Sequence, residues 1–68
     1  MSLCITVNGE ARALAGPLSV ADLLDRMGLA GKRLAVERNG GIVPRGLHGS
    51  TLLADGDALE IVVAVGGG

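Results

Sequence analysis

The chain contains no phenylalanine, tyrosine or tryptophan. Without aromatic rings it has no platform on which nucleic-acid bases could stack. Six Lys plus Arg residues against seven Asp plus Glu give a formal net charge of −1, so there is no basic field for a phosphate backbone either. Both shortages argue against a nucleic-acid partner. One cysteine is present, and it cannot close an internal disulfide. Long hydrophobic runs are missing as well. The longest, Ile61 to Val65, falls far short of the roughly 20 residues that cross a membrane as a helix. The opening stretch, Met1-Ser2-Leu3-Cys4-Ile5, lacks the basic flank of a secretory signal. These absences predict a cytoplasmic protein with a free thiol and no membrane or nucleic-acid partner.

A length of 68 residues allows one domain. A domain of this size buries only about 60% of the surface its unfolded chain exposes. Its core must come from Leu, Ile, Val, Met and Ala, and little room is left for a deep substrate pocket.

The hydrophobic pattern supplies the elements. Leu3, Ile5 and Val7 alternate with Cys4, Thr6 and Asn8, the period of a half-buried strand. Asn8-Gly9 then reads as a tight hairpin turn, because both residues tolerate positive φ. Glu10 to Leu14 returns as a second strand, and Gly16-Pro17 ends it. Ser19 opens a helix as its N-cap, and Asp22 suits the positive end of the helix dipole. Val20, Leu23, Leu24 and Met27 form one apolar face, and Gly28 stops the helix. So short a helix is unstable alone and must lie on a sheet. Leu34, Val36 and Arg38 alternate with Ala35 and Glu37 as a third strand. Asn39-Gly40 turns the chain into a short fourth strand, Gly41 to Val43, which Pro44 ends. Arg45 to Ser50 reads as a polar loop, and Thr51 to Leu53 leads into an Asp55-Gly56-Asp57 turn. The last strand runs from Ala58 to Val65. Leu59, Ile61, Val63 and Val65 face one way, Ala58, Glu60, Val62 and Ala64 the other. This order predicts an α+β fold, a mixed sheet of four to five strands with one main helix across one face and the first and last strands paired centrally. Residues 1–65 form the domain and 66–68 a flexible C-terminal glycine tail.

Chemistry-bearing side chains are scarce. No nucleophile, base and orienting group can be assembled from one Cys, one His and a few hydroxyls. Cys4 falls on the sheet's outer face with nothing basic beside it, and reads as a small outward-facing residue rather than a reactive thiol. His48 has no second ligand at metal-binding spacing and reads as a surface or edge-packing ring. Asp55-Gly56-Asp57 lacks the alternating ligands and closing Glu of a calcium loop and reads as a tight turn. No catalytic residue and no metal site is expected.

What remains is the end of the chain, Gly66-Gly67-Gly68. Glycine suits a backbone that must thread a narrow channel or be closely approached. Three extended residues reach about 10 Å beyond the last strand. Composition alone leaves both a frayed terminus and a working tail open.

Three stretches carry a family resemblance. They are Asn39-Gly40-Gly41-Ile42-Val43-Pro44-Arg45, the run from Leu53 to Val62 through Asp55-Gly56-Asp57, and Val65-Gly66-Gly67-Gly68. Together they resemble the ThiS family, sulfur carriers of thiamine biosynthesis with a ubiquitin-like β-grasp fold. The likeness covers almost the whole chain. It departs where ThiS sequences often carry Trp in the loop holding His48, and where many have a polar residue such as His at the position of Val63.

The resemblance implies a protein-bound sulfur donor rather than an enzyme. The Gly68 carboxylate would be adenylated by an E1-like (ThiF-like) adenylyltransferase and converted to a thiocarboxylate. Its sulfur would go to a ThiG-like thiazole synthase, which builds the thiazole moiety of thiamine. Gly66 and Gly67 would enter the partner's active site. ATP, magnesium and a sulfur-donating enzyme would belong to the partner side, with no cofactor on this chain. The outward face of the last strand, Val62 and Ala64, with Ile42 and Val43 nearby, is the expected docking patch. Arg45 reads as a solvated loop charge. Alternatives that share the fold are a molybdopterin sulfur carrier, a ubiquitin-like modifier and an interaction module with an inert tail. Molybdopterin carriers are usually longer, with aromatic or Pro residues near the tail that this chain lacks.

Overall fold

A computed structural model describes residues 2–64. Strand β1 (Ser2–Val7) turns through Asn8-Gly9 into β2 (Glu10–Ala15), and helix α1 (Val20–Arg26) follows. Next come β3 (Leu34–Arg38), β4 (Gly41–Val43), a 3-10 turn at Arg45–Leu47 and β5 (Ala58–Val63). The five strands form one sheet in the order β2-β1-β5-β3-β4. β1 and β5 are parallel neighbours at its centre, and the other pairings are antiparallel. The expected α+β layer and the central pairing of first and last strands are both present.

Both hairpins turn as their sequences dictate. Asn8 and Gly9 have φ of 51° and 84°, and Asn39 and Gly40 have 51° and 86°. Two successive positive φ values are what a two-residue turn needs to match the twist of its strands. β2 runs one residue beyond its expected end, because Ala15 still pairs with Ser2. β5 stops at Val63, opposite Leu34 at the start of β3, and a bond from the Ala64 N–H to the Arg33 carbonyl closes the ladder. The expected last strand residue, Val65, and the tail of Gly66, Gly67 and Gly68 lie outside the described residues.

Helix α1 begins with a reciprocal cap. The Asp22 N–H donates to Ser19 Oγ, and the Ser19 N–H donates to Asp22 Oδ2, both at 3.0 Å. Two further first-turn donors are met by the 48–51 loop: the Val20 N–H by the Thr51 carbonyl and the Ala21 N–H by that of His48. The helix ends at Arg26 with Met27 as C-cap, and Gly28 follows at φ 72°.

The core lies between α1 and one face of the sheet. Val20, Leu23 and Leu24 of the helix meet Leu3, Ile5, Val7, Val36, Val43, Leu59 and Ile61 of the strands, with Leu18 and Leu53 closing the edges. Strand alternation sends Cys4, Ala13, Ala35, Ile42, Glu60 and Val62 to the opposite face, which no helix covers. Val43 departs from the expected docking patch. It pairs with Val36 on the core face and is only 9% exposed, because strand parity puts it one step out of phase with Ile42.

The 45–50 stretch is also more structured than a polar loop. His48 is buried, and its Nε2 lies 3.1 Å from the Val43 carbonyl oxygen. A carbonyl only accepts, so Nε2 carries the proton. The ring packs at the β4 edge.

Candidate functional site

β5 leads to the chain's last residues, and the structure holds this strand on both sides. On one flank, the Asn8 side chain continues β1 past its last residue. Asn8 Oδ1 accepts from the Ile61 N–H at 2.7 Å, and Asn8 Nδ2 donates to the Ile61 carbonyl at 3.0 Å. On the other, Asn39 Oδ1 accepts from the Ala58 N–H at 2.9 Å and Nδ2 donates to Asp57 Oδ1 at 3.0 Å. Each hairpin turn thus contributes an asparagine side chain to β5 or its approach. Turn chemistry read from sequence explains the positive φ of both asparagines, but not these long-range bonds.

Asp57 anchors the entry to β5. It is 6% exposed and accepts from Arg38 Nε at 2.8 Å, from Asn39, and from the Ala54 N–H at 2.8 Å. Burial pushes its carboxyl pKa up. The Arg38 hydrogen bond, the Ala54 and Asn39 bonds and the Arg38 charge outweigh that and hold it below the ordinary carboxylate value. The preceding turn is tied to β1: the Cys4 N–H donates to Asp55 Oδ1 at 2.6 Å and the Gly56 N–H to the Cys4 carbonyl at 2.8 Å. Asp55-Gly56-Asp57 is thus a structural clasp. Among the described residues no group of three or more His, Cys, Asp or Glu side chains could hold a metal.

The open sheet face presents the remaining candidates. Ile42 is 66% exposed and Val62 64%, and Ala64 is exposed at the strand's exit. Val62 pairs with Ala35 and Ile42 with Glu37, so one strand, β3, separates them on a shared face. Two strand spacings put them roughly 10 Å apart across the sheet. The structure therefore brings Ile42, Val62 and Ala64 to one surface and withdraws Val43 into the core. Glu37 and Glu60 sit between the apolar residues of that surface. Their outward phase is readable from sequence, but their pairing across β3 and β5 is not. Cys4 is exposed on the same open face. Arg45 is exposed on the 3-10 turn.

The profile of the ThiS family matches residues 5–68. The chain belongs to the ThiS family. Family members are small sulfur carrier proteins rather than enzymes. The crystal structure of the thiamine biosynthesis protein ThiS from Geobacter metallireducens superposes with a TM-score of 0.82 at 35% identity, covering 97% of this chain and 100% of that one. The shared fold is the β-grasp. A protein called ycf40 from Pyropia yezoensis is 39% identical over 67 residues, 98% of this chain and 94% of its own length. A thiazole synthase from Paramagnetospirillum magneticum is 41% identical over 64 residues, 94% of this chain. The chain spans only 20% of that synthase's length.

Proposed function

We propose that this chain carries sulfur for thiazole synthesis on the carboxylate of Gly68. An α-carboxylate has an ordinary pKa near 3.5, so at neutral pH it is ionised and a poor electrophile. Activation is therefore the first requirement. An E1-like adenylyltransferase supplies it: a carboxylate oxygen attacks the α-phosphorus of ATP and pyrophosphate leaves, giving an acyl-adenylate. Sulfur at the hydrosulfide level, delivered by a sulfur-donating enzyme, then adds at the acyl carbon. The C–O bond to AMP breaks and a C–S bond forms, leaving a thiocarboxylate. ATP and magnesium are used by the activating enzyme, and this chain holds no cofactor of its own.

The observation that carries the reading is the extent of the family match, which runs through the glycine tail to residue 68. The synthase relative supports the choice of acceptor, because a domain like this one occurs within a thiazole synthase polypeptide. Gly66 and Gly67 have no side chains to obstruct a channel. Val62, Ala64 and Ile42 form the apolar part of the docking face.

Intact mass of the protein isolated from cells tests the reading. Replacement of one oxygen by sulfur is expected, and conjugates of higher mass would identify a protein modifier instead. Deleting Gly68 should abolish the acyl-adenylate while leaving the fold unchanged. Survival of adenylation in that variant would overturn the proposal.

A further inference from the structure

We propose that Asn39-Gly40 is an intrinsic deamidation site, and that conversion of Asn39 loosens β5 and opens Asn8-Gly9 to the same reaction. Asparagine is a thermolabile residue, and a following glycine leaves its neighbouring peptide nitrogen unshielded by any side chain. Both pairs sit in exposed turns. Beyond the chain neighbours, nothing lies within 4 Å of the Cβ position of Gly9 or Gly40.

Water is the only co-reactant the chemistry needs. The Gly40 peptide nitrogen attacks the side-chain carbonyl carbon of Asn39, and a C–N bond forms. The bond to Nδ2 breaks, and Nδ2 leaves as ammonia with the proton that Gly40 gives up. Water then opens the five-membered imide at one carbonyl or the other, leaving aspartate or isoaspartate.

The fold restrains both asparagines by holding both ends of each amide. Asn39 Oδ1 accepts from the Ala58 N–H and Nδ2 donates to Asp57 Oδ1, while Asn8 clasps Ile61. Each amide must rotate out of these bonds before it is attacked. The hold on Asn39 is the weaker. Its bond to Ala58 is exposed, whereas both Asn8 bonds are partly buried. Its turn closes onto β4, an edge strand paired only from Val36 to Arg38, whereas the Asn8-Gly9 hairpin is paired from Ser2 to Val7. A short edge hairpin opens more readily than a long one. Asn39 therefore reacts first.

The product cannot remake the contact. A carboxylate at position 39 has no N–H to donate, and it faces Asp57 Oδ1, the atom that Asn39 Nδ2 meets at 3.0 Å. Arg38 Nε and the Ala54 N–H both donate to Asp57 Oδ2, so the Asp57 charge stays in place and two like charges oppose each other. The start of β5 is released, and with it the strand whose Ile61 protects Asn8. Loss of one turn thus exposes the other, and β5 fails in two irreversible steps. This inference is independent of the carrier reading.

The test incubates the full chain, folded and in denaturant, and follows amide-to-acid conversion at each asparagine by peptide mass spectrometry with the isoaspartyl isomers separated. In the folded chain, conversion at Asn39 is expected before conversion at Asn8, and both should be slower than in denaturant. Asn39→Asp reproduces one product. It should speed conversion at Asn8 about tenfold in the folded chain, the effect on local opening of losing one hydrogen bond to a charged group. The Asn8 rate in denaturant should not change. Adding Asp57→Asn should restore part of the protection and covers the case in which the single variant does not fold. The new amide oxygen would accept the Arg38 and Ala54 bonds, and its nitrogen would donate to the carboxylate at position 39. Asn8 reacting first in the wild type, or at an unchanged rate in folded Asn39→Asp, would refute the coupling. Absence of any rescue in the double variant would refute the role given to Asp57.

Discussion

Asn8 grips the backbone of Ile61 from both ends of its amide, accepting from the N–H at 2.7 Å and donating to the carbonyl at 3.0 Å. The side chain thereby does the work of one more residue of β1. The two partners are 53 residues apart. Asn8→Ala should destabilise the domain by about 2–4 kcal/mol, since it strands two backbone groups and puts a Cβ residue without a compensating side chain at positive φ. Asn8→Gly keeps the turn but loses the grip, so it should cost about 1–2 kcal/mol less than alanine. Urea denaturation of the two variants separates the contributions, and equal costs would mean that the grip alone matters.

Asp57 should make the protein acid-sensitive. Its folded pKa lies below the unfolded value, so its contribution is fully present above about pH 4 and fades as pH falls through the folded pKa. Asp57→Asn should flatten that part of the stability–pH curve. It should also cost roughly 2 kcal/mol at neutral pH, because the charge-assisted bond from Arg38 is weakened. Denaturant midpoints measured across the acidic range provide the check. An unchanged acid limb in the variant would assign it to other carboxylates.

Two valines on opposite faces of the sheet should behave in opposite ways. Val43→Asp buries a charge beside Val36 and should unfold much of the population. Val62→Asp places a charge in solvent and should change stability by less than about 1 kcal/mol. Its expected defect is weaker binding to the adenylyltransferase. Circular dichroism and adenylation kinetics together distinguish the two, and normal adenylation by Val62→Asp would remove Val62 from the docking face.

Ser19→Ala should remove the hydroxyl side of the reciprocal cap and cost about 1 kcal/mol. The Ser19 backbone bond, followed by its side-chain bond, holds the Asp22 carboxyl below its ordinary value. The Asp22 pKa, followed by NMR titration, should therefore rise only in part, because the Ser19 N–H still donates to it.

The short-range signals were legible because their causes are local. Alternation at Leu3, Ile5 and Val7 marked β1, Asn-Gly pairs marked both hairpins, and Ser19 with Asp22 marked the helix start. Glu60 was likewise placed on the outward face by parity alone. His48 was not fully legible, because its burial depends on how the 48–51 loop docks against the helix start and the β4 edge. Val43 was misplaced for a related reason. Its nearness to Ile42 in sequence suggested a shared surface, whereas strand parity separates adjacent residues by a whole sheet thickness.

By itself the sequence determined the five strands and the helix, their boundaries to within a residue or two, the layer architecture and the glycine-rich end, but not the 3-10 turn at Arg45–Leu47. Those follow from dihedral preference and hydrophobic period, which act over a few residues. Only the tertiary structure decided which side chains brace β5. It placed Asn8 and Asn39 on either side of that strand, buried Asp57 beside Arg38, and set Glu37 directly across from Glu60. Such contacts join residues tens of positions apart, and their geometry exists only once the strands are in register.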